Sequence, residues 1–374
     1  MTAVGLIFSN IHDNNIPELT KQRTLGSVPY GGRYRLIDFA LSSMVNSGIS
    51  KIGIVTHNNY QSLLDHLGNG KDWDLARREG GIKILPPYIS SFDNAAANKY
   101  YSSRLEALMG TVNFFNRCKE DYVVMSDCDV ICNIDLGDVI EQHAKTGADI
   151  TFVTKFTTPS KNESVFVADS DADGNLADFY EAKNLDGERR IFVNILVMKR
   201  SYLLNILDVA ISRGYTSFTR DIIQKNIGKE NYRIYDYKGC YAHIGSMAGY
   251  FDCSMKLLDN NVREQLFGIK NFPVLTKIRN SAPTRYCNGA KVTNSVVAEG
   301  CVIEGTVENS IIFRGVRVGK GAVVKNCVLF QDTYVCPNAN LNCVIADKNV
   351  MIKDKRVLSG CEEMPFYIGK NTSV

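Results

Sequence analysis

Apolar residues fall in short runs separated by longer, mixed stretches. The runs AVGLIF (3–8), KIGIVT (51–56), IKIL (82–85), YVVMS (122–126), DITFVT (149–154) and FVNILVM (192–198) predict buried strands. Between them the spacing turns helical. In LIDFALSSMVNSG, Ile37, Ala40, Leu41 and Met44 fall on one face and Gly48 can end the helix. SRLEALMGTVNFFNRC reads the same way. Strands alternating with helices predict a mostly parallel, three-layer α/β domain of Rossmann-like type, with ligands at the carboxyl ends of its strands.

The pattern changes after about Pro283. Helical periodicity disappears and β-branched residues dominate; Ile312, Val318, Val324 and Phe330 recur every six residues, and Val335 to Leu341 repeats the stride. Glycines and asparagines lie between these anchors, where tight corners need them. Such a stride predicts a parallel β-helix, with a β-sandwich as the alternative. The resulting divisions are an α/β domain at 1–235, a helical connector at 236–282 in which YFDCSMKLLDNN forms one helix, and a β-helix at 283–374.

Charge and composition narrow the field rather than decide it. The 374 residues include 43 basic and 40 acidic side chains, a formal charge of +3, which argues against nucleic-acid or membrane attraction. Eleven cysteines lack metal-ligand spacing, and no apolar run reaches membrane-spanning length or precedes the first strand as a leader. The expectation is a cytoplasmic protein with free thiols. All five histidines, His12, His57, His66, His143 and His243, precede the repeat region. A hexapeptide-repeat acyltransferase, which needs a histidine base within its coils, is thereby excluded.

The loop after the first strand is unusual. Strand-to-loop junctions that bind phosphates carry glycines so that backbone amides can approach closely. Here SNIHDNN (9–15) holds none. The sequence PYGGRYRLIDFALSSMVNSGISKIGIVTHN (29–58), followed by GNGKDWDL, GGIKILPPY, DVICNID, TRDIIQ and the hexad repeat, closely resembles bacterial ADP-glucose pyrophosphorylase, or glucose-1-phosphate adenylyltransferase. The resemblance covers nearly the whole chain. It implies a nucleotidyltransferase domain of GT-A-like type followed by a left-handed β-helix, assembled as a tetramer for glycogen synthesis. Active members transfer an adenylyl group from ATP to glucose 1-phosphate with Mg²⁺ and release pyrophosphate.

Set against that family, the catalytic positions are altered. Its glycine-rich GGxGTR loop aligns with Asn10, Ile11, His12, Asp13, Asn14 and Asn15, so both leading glycines gain side chains and the phosphate-directed arginine becomes Asn15. Asp13 puts negative charge where phosphates belong, and a nearby family lysine becomes Leu25. Asp129 matches a Mg²⁺-holding aspartate, with Asp135 keeping the later spacing; the second metal aspartate becomes His243. Glu181 keeps a sugar-site carboxylate, but the adjacent lysine becomes Ala182, with Lys183 one residue away on the opposite strand face. The base-reading glycine-threonine pair corresponds to Ser103-Arg104, and a pocket serine becomes Phe192.

Losing one preorganised contact lowers rate by about 10²–10³-fold, and several together should remove useful turnover. The resemblance therefore implies a regulatory, catalytically impaired subunit that requires no cofactor itself and activates a Mg²⁺-dependent catalytic homologue in a heterotetramer. Asp129 either retains weak metal binding or is a turn aspartate. Arg23 and Arg35 match basic residues of the family's anionic effector cleft, where sugar phosphates or inorganic phosphate bind, while the neighbouring effector lysine becomes Gln22. The alternative for Arg23, Arg33 and Arg35 is surface ion pairing. Two rival functions remain: an active nucleotidyltransferase making ADP-glucose, and a free-standing sugar-nucleotide binder.

Overall fold

The computed structural model describes residues 1–86, 101, 103–160 and 163–374. The last residues of GGIKILPPY lie outside them. A nine-stranded sheet forms the first domain, in the order Gly81–Leu85, Lys51–Val55, Ala3–Phe8, Tyr122–Asp127, Arg189–Lys199, Ser164–Ser170 and Leu176–Lys183; Ile150–Thr157 joins Arg189–Lys199 and in turn pairs with Tyr232–Asp236. The first four are parallel, as the alternation of strands and helices requires. The other half departs from the expected mostly parallel sheet. Arg189–Lys199 runs antiparallel to Tyr122–Asp127 and Ile150–Thr157, and Ser164–Ser170 forms an antiparallel hairpin with Leu176–Lys183. That hairpin closes through Asp171, whose carboxylate accepts the backbone N–H groups of Asp173 and Asn175, so no crossover helix is needed.

Helices cover both faces. Leu36–Asn46, Gln61–Leu67 and Leu136–Thr146 pack Ile37, Leu41, Leu63 and Val139 against Ile7, Ile54 and Val124. On the other face Arg104–Met109, Val112–Asn116 and Arg200–Arg213 cover Val4, Leu6 and Val123. The stretch SRLEALMGTVNFFNRC is thus two short helices, parted at Gly110-Thr111. YFDCSMKLLDNN likewise splits. Met247–Lys256 ends before Leu257, and Asn260–Phe267 starts afresh with Asp259 accepting the Asn261 N–H.

Beyond Pro283 three five-stranded parallel sheets form a left-handed β-helix. Coils advance seventeen residues, as from Thr306 to Val323 to Asn340, or fifteen, as from Lys291 to Thr306, so the expected stride of six shortens at some corners. One corner stacks Asn294, Asn309, Asn326 and Cys343, all left-handed with φ of 40°, 46°, 50° and 51°. Asparagine tolerates that conformation better than most residues, and successive coils are linked there, Asn294 Nδ2 donating to Asn309 Oδ1 at 2.8 Å. The two domains share a core: Tyr30, Phe39, Tyr250 and Phe251 pack with Ile311, Phe313, Val328, Phe330 and Ile345.

Candidate functional site: a cleft filled by its own side chains

Ala3–Phe8 and Tyr122–Asp127 are neighbouring parallel strands, so the loops leaving their carboxyl ends face one cleft. From the first loop comes His12, just before a single 3₁₀ turn, Asp13–Asn15. From the second come Asp127 and Asp129, 1% and 0% exposed. The His12 Nε2 atom lies 2.6 Å from Asp127 Oδ2 and 3.5 Å from Asp129 Oδ2. Tyr241–His243, a short strand paired antiparallel with Val130–Cys132, delivers His243, whose Nε2 is 3.4 Å from Asp129 Oδ2. Its Nδ1 is 3.0 Å from Glu163 Oε2.

Arg104 closes the cluster by hydrogen bonding to Asp127. Asn194 Nδ2 donates to Asp129 Oδ2 at 2.8 Å. Asn194 has φ of 55° where pairing with Ile150–Thr157 shifts register between Phe192 and Leu196, and this irregularity turns its amide toward Asp129. Glu163 is held in turn by Ser246 Oγ, which donates to its Oε1 at 2.9 Å, at the start of Met247–Lys256. Gly249 is required there, because a Cβ on it would sit 1.9 Å from Glu163 Oε1.

Three carboxylates, Asp127, Asp129 and Glu163, thus meet three basic groups, His12, His243 and Arg104. Burial opposes charge on His243, but hydrogen bonds to Asp129 and Glu163 outweigh it and raise the imidazole to about 10. His12 is also raised, burial being overcome by Asp129 and Asp127. Asp129 is driven down to about 2, since the two histidines and Arg104 outweigh its desolvation. Positive charge beside these carboxylates is thus supplied by side chains. Mg²⁺, implied for catalytic members of the resembling family, does not fit. It demands a near-octahedral oxygen shell, whereas Asp129 is flanked by two imidazoles, and of the cluster's carboxylate oxygens only Asp127 Oδ1 and Asp129 Oδ1 are left without hydrogen-bond partners among the described residues.

The remaining loop positions are equally committed. Asn10 is 2% exposed and its Oδ1 accepts from Tyr101 at 3.4 Å. Asp13 Oδ1 accepts the Leu25 N–H at 2.7 Å, while burial lifts that carboxyl to about 7. Leu25 itself is buried in the shared core, and Asn15 sits in the 3₁₀ turn. Phe192 stacks edge-on with Phe152 and Phe179 and lines a cavity of about 200 Å³ with Phe166, Phe218, Arg104 and Asn194. Glu181 bonds Ser164 on the neighbouring strand, outside the Asp129 cluster. Ala182 packs against Val165, Val167 and Ile191, and Lys183 points to the other, exposed face. Asp135 caps Leu136–Thr146 through the Gly137 N–H and belongs to no site.

Arg23 and Arg35 occupy a second place, between the domains. Neither is a surface ion pair: Arg23 is 2% exposed and binds Asp347 of the β-helix at 2.7 and 2.8 Å, leaving Nη1 without a partner. Arg35 donates to Ser62 O and Oγ, and burial lowers it to about 10. Lys348 falls to about 6 through burial and the positive charges of Arg35, Arg23 and Arg279.

Residues 16–260 match the nucleotidyl transferase family, and residues 282–363 match the GlmU-like C-terminal hexapeptide family. The chain is 33% identical over 373 residues to the glycogen biosynthesis protein GlgD of Bacillus subtilis, which spans 98% of this chain and 95% of that one. It is 31% identical over 328 residues to the glucose-1-phosphate adenylyltransferase of Geobacillus stearothermophilus, spanning 86% and 83% of the two chains. The chain belongs to the glucose-1-phosphate adenylyltransferase family. The adenylyltransferase of Clostridium perfringens strain 13 is 30% identical over 392 residues, 96% of each chain. Of the residues singled out from sequence, His12, Arg104, Asp129 and His243 are brought together by the structure. Glu163, Asp127 and Asn194 were missed. Asn194 carried a signal, being the polar residue inside the run FVNILVM; Glu163 carried none.

Proposed function

We propose that this chain is a regulatory, catalytically impaired subunit of a bacterial glucose-1-phosphate adenylyltransferase. It acts in the cytoplasm on ADP-glucose supply for glycogen, raising the activity of a catalytic homologue within a heterotetramer. The observation that carries this reading is the six-residue ion cluster: His12, His243 and Arg104 pair with Asp127, Asp129 and Glu163 where the family resemblance implies metal and phosphates. Aligning a triphosphate there would require separating buried ion pairs, each costing about 3–5 kcal/mol when one partner is left bare. Relationship to GlgD proteins over nearly the full length supports the same assignment.

The basic cluster between the domains supports an anionic effector. Arg23 Nη1 lacks a partner and Lys348 is held low first by burial and then by neighbouring positive charge, so a phosphate group seated among Arg23, Arg35, Lys348 and Arg279 would relieve the repulsive part. Arg23 also fastens the two domains, so Lys348→Gln is the cleaner probe.

Pyrophosphate release should be measured for this chain, for a catalytic homologue, and for both mixed, with ATP, Mg²⁺ and glucose 1-phosphate. Silence alone and synergy on mixing support the reading; turnover by this chain alone favours an active adenylyltransferase instead. In the mixture, Lys348→Gln should shift the response to inorganic phosphate or a sugar bisphosphate, and an unchanged curve would remove the effector site.

A further inference from the structure

The strand Gly81–Leu85 ends the sheet of the first domain, and no described residue pairs with its outer side. The Gly81 N–H donates to Ser50 O and Leu85 O accepts the Thr56 N–H, so residues 81, 83 and 85 direct their backbone groups at Lys51–Val55. Ile82 and Ile84 therefore turn their N–H and C=O groups to the open side. We propose that this edge, together with the cavity beside it, docks an extended acidic segment of a partner protein by strand addition.

The cavity is a second, independent observation. It holds about 620 Å³ and lies on the face of the strand that carries Lys83 and Leu85. Its apolar wall is Phe114 with Leu85. Gly53 on the neighbouring strand makes room for that wall, because a Cβ there would stand 2.8 Å from Leu85 Cδ1 and 3.1 Å from Phe114 Cε1. In an added strand every second side chain enters this cavity while the backbone pairs with Ile82 and Ile84.

Charge selects the occupant. Lys51, Lys83 and Arg117 border the cavity. Lys51 holds Glu120 at 2.8 Å, whereas Lys83 and Arg117 are exposed and form no ion pair among the described residues. Acidic side chains of the incoming segment meet these cations, and apolar ones meet Phe114 and Leu85. A second copy of this chain fits poorly. Antiparallel pairing of two such edges sets both basic rims on one face of the joined sheet, and a lysine on an edge strand guards against that association. The edge shares no residue with the ion cluster or the interdomain arginines. The inference does not depend on the regulatory assignment, since binding is read without any activity.

The full-length chain should be titrated with a fluorescein-labelled hexapeptide of alternating glutamate and valine, followed by polarisation. Two controls accompany it: a lysine-valine hexapeptide, and a glutamate-proline hexapeptide that keeps the charge but cannot complete a ladder. The expected result is saturable binding of one glutamate-valine peptide per chain, at least about tenfold tighter than either control, with slowed amide exchange at Ile82 and Ile84. Lys83→Glu combined with Arg117→Glu, both at exposed positions, should leave the circular dichroism unchanged. That variant should bind the acidic peptide at least about tenfold more weakly and admit the lysine-valine peptide. No saturable binding, equal binding of the glutamate-proline peptide, or binding unaltered by the charge reversal would each overturn the proposal. Protection of Ile82 and Ile84 that rises with protein concentration in the absence of peptide would assign the edge to a second copy and overturn it as well.

Discussion

At the scale of single residues, His243 decides the character of the cleft. Its folded value of about 10 lies above the ordinary 6.5, so its contribution to stability is complete below about 6.5 and fades as pH rises toward 10. Asp129, held at about 2 against an ordinary 3.8, contributes above about 4 and loses that contribution as pH falls through 2. Chemical denaturation across pH should therefore show stability declining on the alkaline side. His243→Asn should flatten that slope and lower stability near neutrality by about 3 kcal/mol, since Asp129 and Glu163 lose a partner. A slope unchanged by the substitution would mean that the imidazole is neutral. Arg23→Ala should cost a similar amount, about 3 kcal/mol, by baring Asp347; a loss within experimental error would show that the interdomain pair is solvated.

Among structural elements, two devices set the outcome. Met247–Lys256 admits the Glu163 carboxylate at its first turn only because residue 249 is glycine. Gly249→Ala should push Glu163 out and mimic part of the His243 effect. An unaltered alkaline slope in that variant would contradict the packing described. In the β-helix, the asparagine corner column predicts an asymmetry. Asn326→Val should destabilise by about 2 kcal/mol because a β-branched residue resists the left-handed region, while Asn326→Gly should lose little more than its bond to Asn342. Equal losses would mean that the corner relaxes.

Much at this scale was legible beforehand. The six apolar runs became strands: the central ones are buried on both faces and so read as nearly unbroken apolar segments, while Gly81–Leu85, at the sheet edge, alternates with exposed Lys83. Ser164–Ser170 and Leu176–Lys183 were not foreseen, since residues such as Asp169, Asp178 and Glu181 face solvent and dilute the pattern. Asp129 and His243 could be found by alignment. Their partners could not, because His12–Asp127 and His243–Glu163 contacts span 115 and 80 residues with no local periodicity to announce them.

Across the whole molecule, the two domains are joined through one continuous apolar cluster. Besides the shared core and the Arg23–Asp347 pair, Tyr367 donates its hydroxyl to Glu18 O at 2.9 Å. Ending the chain near Ala282 would expose Phe39, Tyr250 and Phe251, so such a truncation is expected to aggregate, and heat should unfold the full chain in a single transition. Two separated calorimetric peaks would contradict this. The same unity gives an interdomain ligand a mechanical route, because the segment from His12 to Arg23 touches the ion cluster at one end and the β-helix at the other.

The central claim is that the cleft's own charges replace metal and phosphate. Equilibrium dialysis of the isolated full-length chain against ATP with excess Mg²⁺ tests it most directly. Retention no greater than for a neutral solute at millimolar nucleotide is the predicted result; stoichiometric, Mg²⁺-dependent ATP binding that is lost on Asp129→Asn would contradict it.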